Sequence, residues 1–350
     1  PSEQTLVKYD ERSISYWEQK AAIARKGRMQ AETLDGYRLM VMGNIALPEE
    51  VVSAINYGAD GIGLYRTEFQ YMSRSDFPGE DELYDKYSDV IDVMGGKPVT
   101  IRTLDINGDK AIGPGNGPAE VNPALGLRGI RDCLQRPDVF RTQLRAILRA
   151  AVHGNVRIMF PMVSTVSEVI MSKRILNEVA ESLDKDGFAF NSDIKIGVLV
   201  EVPSAVIMAD KIADEVDFFS VGTNDLIQYA LAIDRGNQQV SHLFRPLDPA
   251  VLRLLRQITN VANEKEVKVF ICGEMAGYAI HAPILLGLGM DGFSMNPQSI
   301  PTVKQMVRSI KMEDTPLLVE EALKLASAEK AFELLRETYG GILSEIDRTE

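Results

Sequence analysis

The sequence predicts a (β/α)8 TIM barrel with an N-terminal linker helix and C-terminal helices. Three observations predict it. Eight short β-rich runs lie between Leu39 and Met295. They recur roughly every 32 residues, close to the size of one strand–helix–strand unit. Polar or ionisable residues stand just past the C-terminal ends of these runs, where parallel α/β folds keep their sites. The competing architecture is an open doubly wound sheet, but no GxGxxG follows the first run.

The elements follow in order. Ser13 to Met29 reads as a helix of mixed charge, with Tyr16, Trp17, Ala21 and Ile23 near one face. Asp35-Gly36 marks a turn. The first strand is Leu39 to Met42, closing on Gly43-Asn44. A helix starts at Pro48-Glu49-Glu50, with proline first and acids in the first turn, and stops at Gly58. Strand two is Gly61 to Tyr65, followed by Arg66-Thr67-Glu68. Helix two covers Asp81 to Met94, and strand three is Pro98 to Ile101, followed by Arg102-Thr103-Leu104-Asp105. Asn107 to Pro123 is a long Gly/Pro-rich loop, of the kind that is usually functional. Helical sequence from Ala124 to Ala151 breaks near Pro137. Strand four is Val156 to Phe160, and helix four is Val166 to Leu183.

Strand five, Ile196 to Val200, ends on Glu201. A helix over Ala205 to Ala213 leads to strand six, Val216 to Val221, which ends in Gly222-Thr223-Asn224-Asp225. The next helix runs toward Asp234-Arg235-Gly236. Pro249 to Asn263 is a helix, and strand seven, Val267 to Ile271, ends on Cys272-Gly273-Glu274. A helix near Ile284 precedes strand eight, Gly292 to Met295. Helical sequence continues from Pro301 to the C-terminus.

Composition bounds the function. A chain of 350 residues buries one large domain or two small ones, and its 45% hydrophobic and 25% charged content is ordinary for a globular protein. A net charge of −12 argues against general nucleic-acid binding. Two cysteines, Cys133 and Cys272, make no disulfide framework, so a reducing cytoplasm is the expected setting. No apolar run approaches the ~18 residues that a membrane span needs. The chain begins at Pro1 without a Met or a signal peptide, which points to a fragment or a processed product.

In a barrel, the strand ends converge on one rim. That rim would carry Arg66, Arg102, Glu201, Asn224, Asp225 and Cys272, with Arg128 and Arg235 in segments able to reach it. Guanidinium groups suit phosphate and carboxylate because they donate paired hydrogen bonds in a fixed plane. Neighbouring parallel strands lie about 4.8 Å apart, so Glu201 and Asp225 could share one metal ion. Arginines, two carboxylates and Mg²⁺ together suit a small phosphorylated carboxylic acid. Each residue also has a plainer role. Thr223, Asn224 and Asp225 are all helix-capping types, and that helix start could also bind an anion. Cys272 could be a small buried hydrophobe. His153, His242 and His281 lack metal-ligand spacing and read as structural or exposed.

Seven segments carry a family resemblance: GIGLYRTEF (61–69), IRTLDINGDK (101–110), NPALGLRGIR (122–131), RIMFPMVS (157–164), GVLVEVPSA (197–205), DFFSVGTNDLIQYALAIDRGN (217–237) and FICGEMAGY (270–278). Together they resemble the phosphoenolpyruvate-binding C-terminal domain of Enzyme I of the bacterial sugar phosphotransferase system. The resemblance implies a (β/α)8 barrel over residues 34–350, preceded by a linker region at 1–33. It implies phosphoryl transfer from phosphoenolpyruvate to a histidine with Mg²⁺, in a cytoplasmic homodimer. It places Arg66, Arg102 and Arg235 on the substrate, Asn224 at its phosphate, and Glu201 and Asp225 on Mg²⁺. Cys272 would protonate the enolate carbon as pyruvate forms. Arg128, Lys110 and Asp225 complete the expected substrate set. The receiving histidine would belong to an N-terminal domain outside this chain, which in turn would serve an HPr-type phosphocarrier protein. Tyr278, Gly292 and Asn296 depart from the family pattern. The nitrogen-related paralogue, pyruvate phosphate dikinase and phosphoenolpyruvate synthase share the barrel. A phosphoenolpyruvate-sensing dimerisation module and a divalent-metal lyase are the readings from other classes.

Overall fold

A computed structural model describes residues 28–72, 74, 76–106 and 122–348. The expected helix from Ser13 lies almost wholly outside them, as does Lys110. Eight parallel strands form the barrel: β1 (Arg38–Ile45), β2 (Ile62–Tyr65), β3 (Val99–Arg102), β4 (Val156–Phe160), β5 (Lys195–Val200), β6 (Phe218–Val221), β7 (Lys268–Ile271) and β8 (Gly292–Met295). Each pairs with the next, and β1 closes on β8 through Met40↔Gly292 to Gly43↔Met295. All eight expected strands are present. A two-residue strand, Ala31–Glu32, pairs antiparallel with Leu39 and Arg38.

Strand alternation divides the core in two. Met42, Leu64, Met159, Leu199, Phe218, Phe270 and Cys272 fill the barrel interior. Their neighbours in sequence, such as Val41, Tyr65, Val198, Phe219 and Ile271, face outward into the larger core beneath the helices. The period of two explains both sets, since successive side chains point to opposite faces.

The helices keep the expected order. They include α1 (Glu50–Asn56), α2 (Glu80–Met94), α3 (Ile130–Gln135), α4 (Pro137–Ala150) and α5 (Val166–Asp186). Pro137 separates α3 from α4 as the sequence implied. Thr165 and Glu168 form a reciprocal capping box at the start of α5. The helix expected over Ala205 to Ala213 is two short pieces instead, α6 (Pro203–Ile207) and α7 (Ala209–Ala213). Met208 joins them in a non-helical conformation. Then come α8 (Thr223–Leu231), α9 (Pro249–Glu264), α10 (Ala282–Leu288), α11 (Ile300–Arg308), α12 (Thr315–Lys324) and α13 (Ala328–Arg348).

One device recurs at the N-terminal end of the barrel. Asp60, Asp217 and Asp291 stand just before β2, β6 and β8. Each carboxylate accepts the backbone N–H of the preceding strand: Val41 at 2.9 Å, Ile196 at 2.7 Å and Val269 at 2.8 Å. The same aspartates donate their own N–H to those residues' carbonyls. This end of a barrel bears on stability, and the opposite end is left free for chemistry. Asp217→Ala and Asp291→Ala are each expected to cost about 1 kcal/mol in urea unfolding, the usual worth of one such bond. Ligand affinity at the opposite rim should stay unchanged, and a change there would show that the latches reach the site.

Candidate active site

At the C-terminal rim, one cavity of about 930 Å³ is lined by Arg66, Arg102, Arg128, Glu201, Asn224, Asp225, Arg235 and Cys272. The structure thus gathers every site residue inferred from the sequence that lies among the described residues. Arg66 follows β2, and Arg102 is the last residue of β3. Glu201 follows β5, and the Val200↔Val221 pairing sets it level with Gly222 at the end of β6. A Cβ at position 222 would lie 2.8 Å from Glu201 Oε2, so only glycine leaves room for that carboxylate. Asn224 and Asp225 lie in the first turn of α8.

Neither residue caps the helix. Gly222 is the N-cap, without a side-chain cap bond. Asn224 instead exchanges two hydrogen bonds with Glu274. Its Nδ2 donates to Glu274 Oε1 at 3.0 Å, and its Oδ1 accepts the Glu274 N–H at 3.0 Å. Asp225 Oδ1 faces Arg128 Nη1 at 3.3 Å. Both side chains are therefore turned toward the site.

Charge at the rim is paired in a chain. Arg128 donates from Nε and Nη2 to the two oxygens of Asp105, at 3.1 and 2.9 Å, while its Nη1 reaches Asp225. Arg102 meets Glu68 at 2.7 Å and Asp105 at 3.3 Å. Such fork-shaped contacts hold both position and plane. Among the described residues, the side chains of Arg66 and Arg235 make no hydrogen bond or ion pair. They are exposed on the cavity wall and free to meet an anion.

These neighbours move the ionisation of the site. Burial pushes the Glu201 carboxyl well above its ordinary value, and Asp225 and Asp105 push the same way; Arg102 and Arg128 offset only part of it. Burial would also raise Asp105, but Arg102 and Arg128 outweigh it and hold that group low. Burial pushes the Cys272 thiol up to about 11, despite the nearby Ser220 hydroxyl and the Arg102 and Arg66 charges that favour thiolate. Cys272 is thus a protonated thiol at neutral pH, and it is both a wall of the cavity and part of the barrel interior.

The sequence reading did not single out Asp105, Glu68, Glu274, Tyr229 or Asn44 as site residues. Asp105 and Glu68 follow strand ends and could have been found on that signal. Tyr229 lies one turn beyond Asp225 and approaches Arg128 at 3.4 Å. Asn44 and Glu274 also stand at strand ends, but their partners, the Cys272 carbonyl and Asn224, come from other units of the barrel, which no local pattern reveals.

Residues 20–312 match the family described as PEP-utilising enzyme, PEP-binding domain. The chain belongs to that family. Relatives named phosphoenolpyruvate-protein phosphotransferase include one from Priestia megaterium, 46% identical over 97% of this chain and 59% of the relative. Others come from Bacillus subtilis (strain 168), at 44% over 97% of this chain and 60% of the relative, and Staphylococcus carnosus (strain TM300), at 42% over 96% and 59%. A solved citrate lyase from Burkholderia xenovorans LB400 overlaps at 14% identity with a TM-score of 0.47, covering 90% of this chain and 96% of that one. The chain spans about three-fifths of the length of the curated relatives it matches. Within this PEP-binding family member, the departures Tyr278 and Asn296 line the cavity while Gly292 lies within β8.

The raised Glu201 has a consequence for stability. Its contribution is complete below the ordinary carboxyl value of 4.5 and is lost as pH rises toward the higher value in the fold, so near neutrality the group is a cost. Glu201→Gln keeps the oxygen that accepts the Met162 N–H. This variant is expected to melt higher than the parent at about pH 7–8 and to match it at about pH 4. A lower melting temperature at neutral pH would refute the assignment.

Proposed function

We propose that this chain binds phosphoenolpyruvate with Mg²⁺ and supports transfer of its phosphoryl group to a histidine on a separate domain, releasing pyruvate. The observation that carries this reading is a neutral thiol on the same wall as a carboxylate pair and two arginines without partners among the described residues. An anion site alone needs no proton donor. The loss of a phosphoryl group from phosphoenolpyruvate does, because the enolate left behind must gain a proton at C3. The names of the relatives support the same reading.

The donor set fits Mg²⁺. This ion takes one or two carboxylates and fills its octahedron with substrate phosphate and water. Glu201 and Asp225 would supply the protein's share. Among the described residues no group of three or more His, Cys, Asp and Glu is arranged to hold a metal, so the remaining positions would fall to ligand oxygens. When bound, the ion would neutralise charge on the transferring phosphoryl group.

The protein's own residues then divide the work. Arg66 and Arg235 hold phosphate and carboxylate oxygens, and Arg102 adds to them while anchored by Glu68 and Asp105. Asn224 donates to the phosphate from an orientation set by Glu274. Arg128 keeps Asp225 in place. The bond from phosphorus to the enol oxygen breaks as a histidine nitrogen of the other domain bonds to phosphorus. The electron pair left on that oxygen moves through the enolate to C3, which takes the proton from Cys272 Sγ. Solvent returns a proton to the thiolate. A thiol that stays protonated near neutral pH has the proton that the acid role requires.

The rest of the assignment follows from this reading. Residues 34–350 are the phosphoenolpyruvate-binding body, and 1–33 lead from the part that bears the histidine. Lys110 belongs to the substrate loop, and an HPr-type phosphocarrier receives the phosphoryl group in the full-length enzyme. We place the protein in the cytoplasm as a homodimer. A reducing compartment keeps the free thiols of Cys133 and Cys272 intact. Among the described residues no helix is long and apolar enough to cross a membrane.

The test mixes the chain with phosphoenolpyruvate and Mg²⁺, with and without a separately made phosphohistidine domain, and follows pyruvate. Steady release is expected only with both parts. Stoichiometric phosphorylation of the chain by itself would sink the proposal. Cys272→Ala should keep substrate affinity while pyruvate formation falls by about 100-fold or more, the usual contribution of a positioned acid. Normal turnover by that variant would remove Cys272 from the mechanism.

A further inference from the structure

Cys272 is held by a polar chain that crosses the seam where the barrel closes. Asn44, near the end of β1, donates from Nδ2 to the Cys272 carbonyl at 2.9 Å. Ser294 on β8 donates from Oγ to Asn44 Oδ1 at 2.6 Å, which fixes the orientation of the amide, and lies 3.2 Å from the Gly43 carbonyl. On its other side, Cys272 donates its N–H to the Val221 carbonyl at 3.0 Å. The residue bearing the thiol is thus clamped through its carbonyl from β1 and through its N–H from β6.

The clamp is built into the strands. Between β1 and β2, Gly43 pairs with Ile62 but Asn44 pairs with Leu64, so Gly63 is the extra residue of a bulge. Bulges re-aim side chains next to sites. A Cβ at Gly63 would lie 2.4 Å from Ser294 Oγ. The missing side chain leaves the space in which Ser294 reaches Asn44. Ser294 is buried, whereas Asn44 is half-buried and lines the cavity beside Cys272.

From this geometry we infer that Asn44 is a positioning residue for proton delivery by Cys272, and that Ser294 sets its amide. The inference rests on the proposed acid role of Cys272. The amide holds the backbone of Cys272 so that Sγ stands at a fixed distance from the bound enolate. It touches no reacting atom. The chain Ser294–Asn44–Cys272 thereby links the closure of the barrel to the placement of the acid.

The test uses the whole chain with Mg²⁺ and a separately made phosphohistidine domain. Three quantities are read for the parent, Asn44→Ala, Ser294→Ala and Cys272→Ala: phosphoenolpyruvate affinity by calorimetry, kcat for pyruvate, and the rate of thiol alkylation by iodoacetamide. Cys133 and Cys272 are both buried, but Cys272 lines the cavity and Cys133 does not, and Cys272→Ala supplies the alkylation background of Cys133. Asn44→Ala is expected to keep affinity within about twofold, to lower kcat at least tenfold, and to alkylate several-fold faster as the clamp opens. Ser294→Ala, a milder change, should move kcat and alkylation in the same directions by less. Unchanged kcat and alkylation in Asn44→Ala would overturn the inference. So would a loss confined to substrate affinity, which marks a ligand contact. If Asn44→Ala does not fold, Ser294→Ala decides alone, and parent-like behaviour there overturns the inference. Failure of the underlying reading has a separate signature: Cys272→Ala turns over normally, whatever the two clamp variants do.

Discussion

The site depends on how Arg128 is placed. Its guanidinium spans Asp105 and Asp225, two acids from opposite sides of the rim. Without it, Arg102 would be the main counter-charge for Asp105, Asp225 and Glu201 among the described residues. Like charges at short range in a partly buried setting cost far more than in water. Arg128 removes enough of that repulsion for Asp225 to stand beside Glu201. It does not remove all of it, and the strongly raised Glu201 is what remains. On the proposed reading, a divalent cation held by Glu201 and Asp225 would relieve that remaining repulsion.

Closure of the barrel is what makes these contacts possible. The residues involved are far apart in the chain: Asn44 and Cys272 are separated by 228 positions, and Arg128 and Asp225 by 97. Eight parallel strands bring their C-terminal ends to one rim, and the alternation of side chains decides which residues face inward. The opposite end is tied by the Asp60, Asp217 and Asp291 latches. Rigidity at one end and polar convergence at the other are two results of the same parallel order.

Much of this was legible in the sequence. The β-rich runs gave the strands because a parallel strand buried on both faces reads as a short, nearly continuous apolar run. The ionisable residues that end those runs gave most of the site. What escaped has physical causes. The split at Met208 is a local conformation that no strong breaker marks, since neither glycine nor proline stands there. Asn224 and Asp225 did not escape as site residues, but local pattern alone equally allows them as caps. Their contacts with Glu274 and Arg128 decide otherwise, and those partners come from other units of the barrel. The bulge at Gly63 looks like an ordinary strand glycine until Ser294 is seen in the space it leaves.

The same distinction explains how Cys272 is held. A thiol that must deliver a proton cannot be fixed by a strong acceptor or a nearby cation, because either would draw the proton away or stabilise the thiolate before the enolate forms. Sγ donates to the Val221 carbonyl at 3.7 Å, a long contact. The firm bonds go instead to the main chain of Cys272, its N–H on one side and its carbonyl on the other. Fixing the backbone places the sulfur while leaving the S–H largely uncommitted, and burial keeps the thiol neutral. Arg66 and Arg102 pull the other way, toward thiolate, and their charge is what an anionic substrate would cancel on arrival. On the proposed reading, the thiol is therefore most ready to keep its proton until the enolate forms when substrate occupies the arginines.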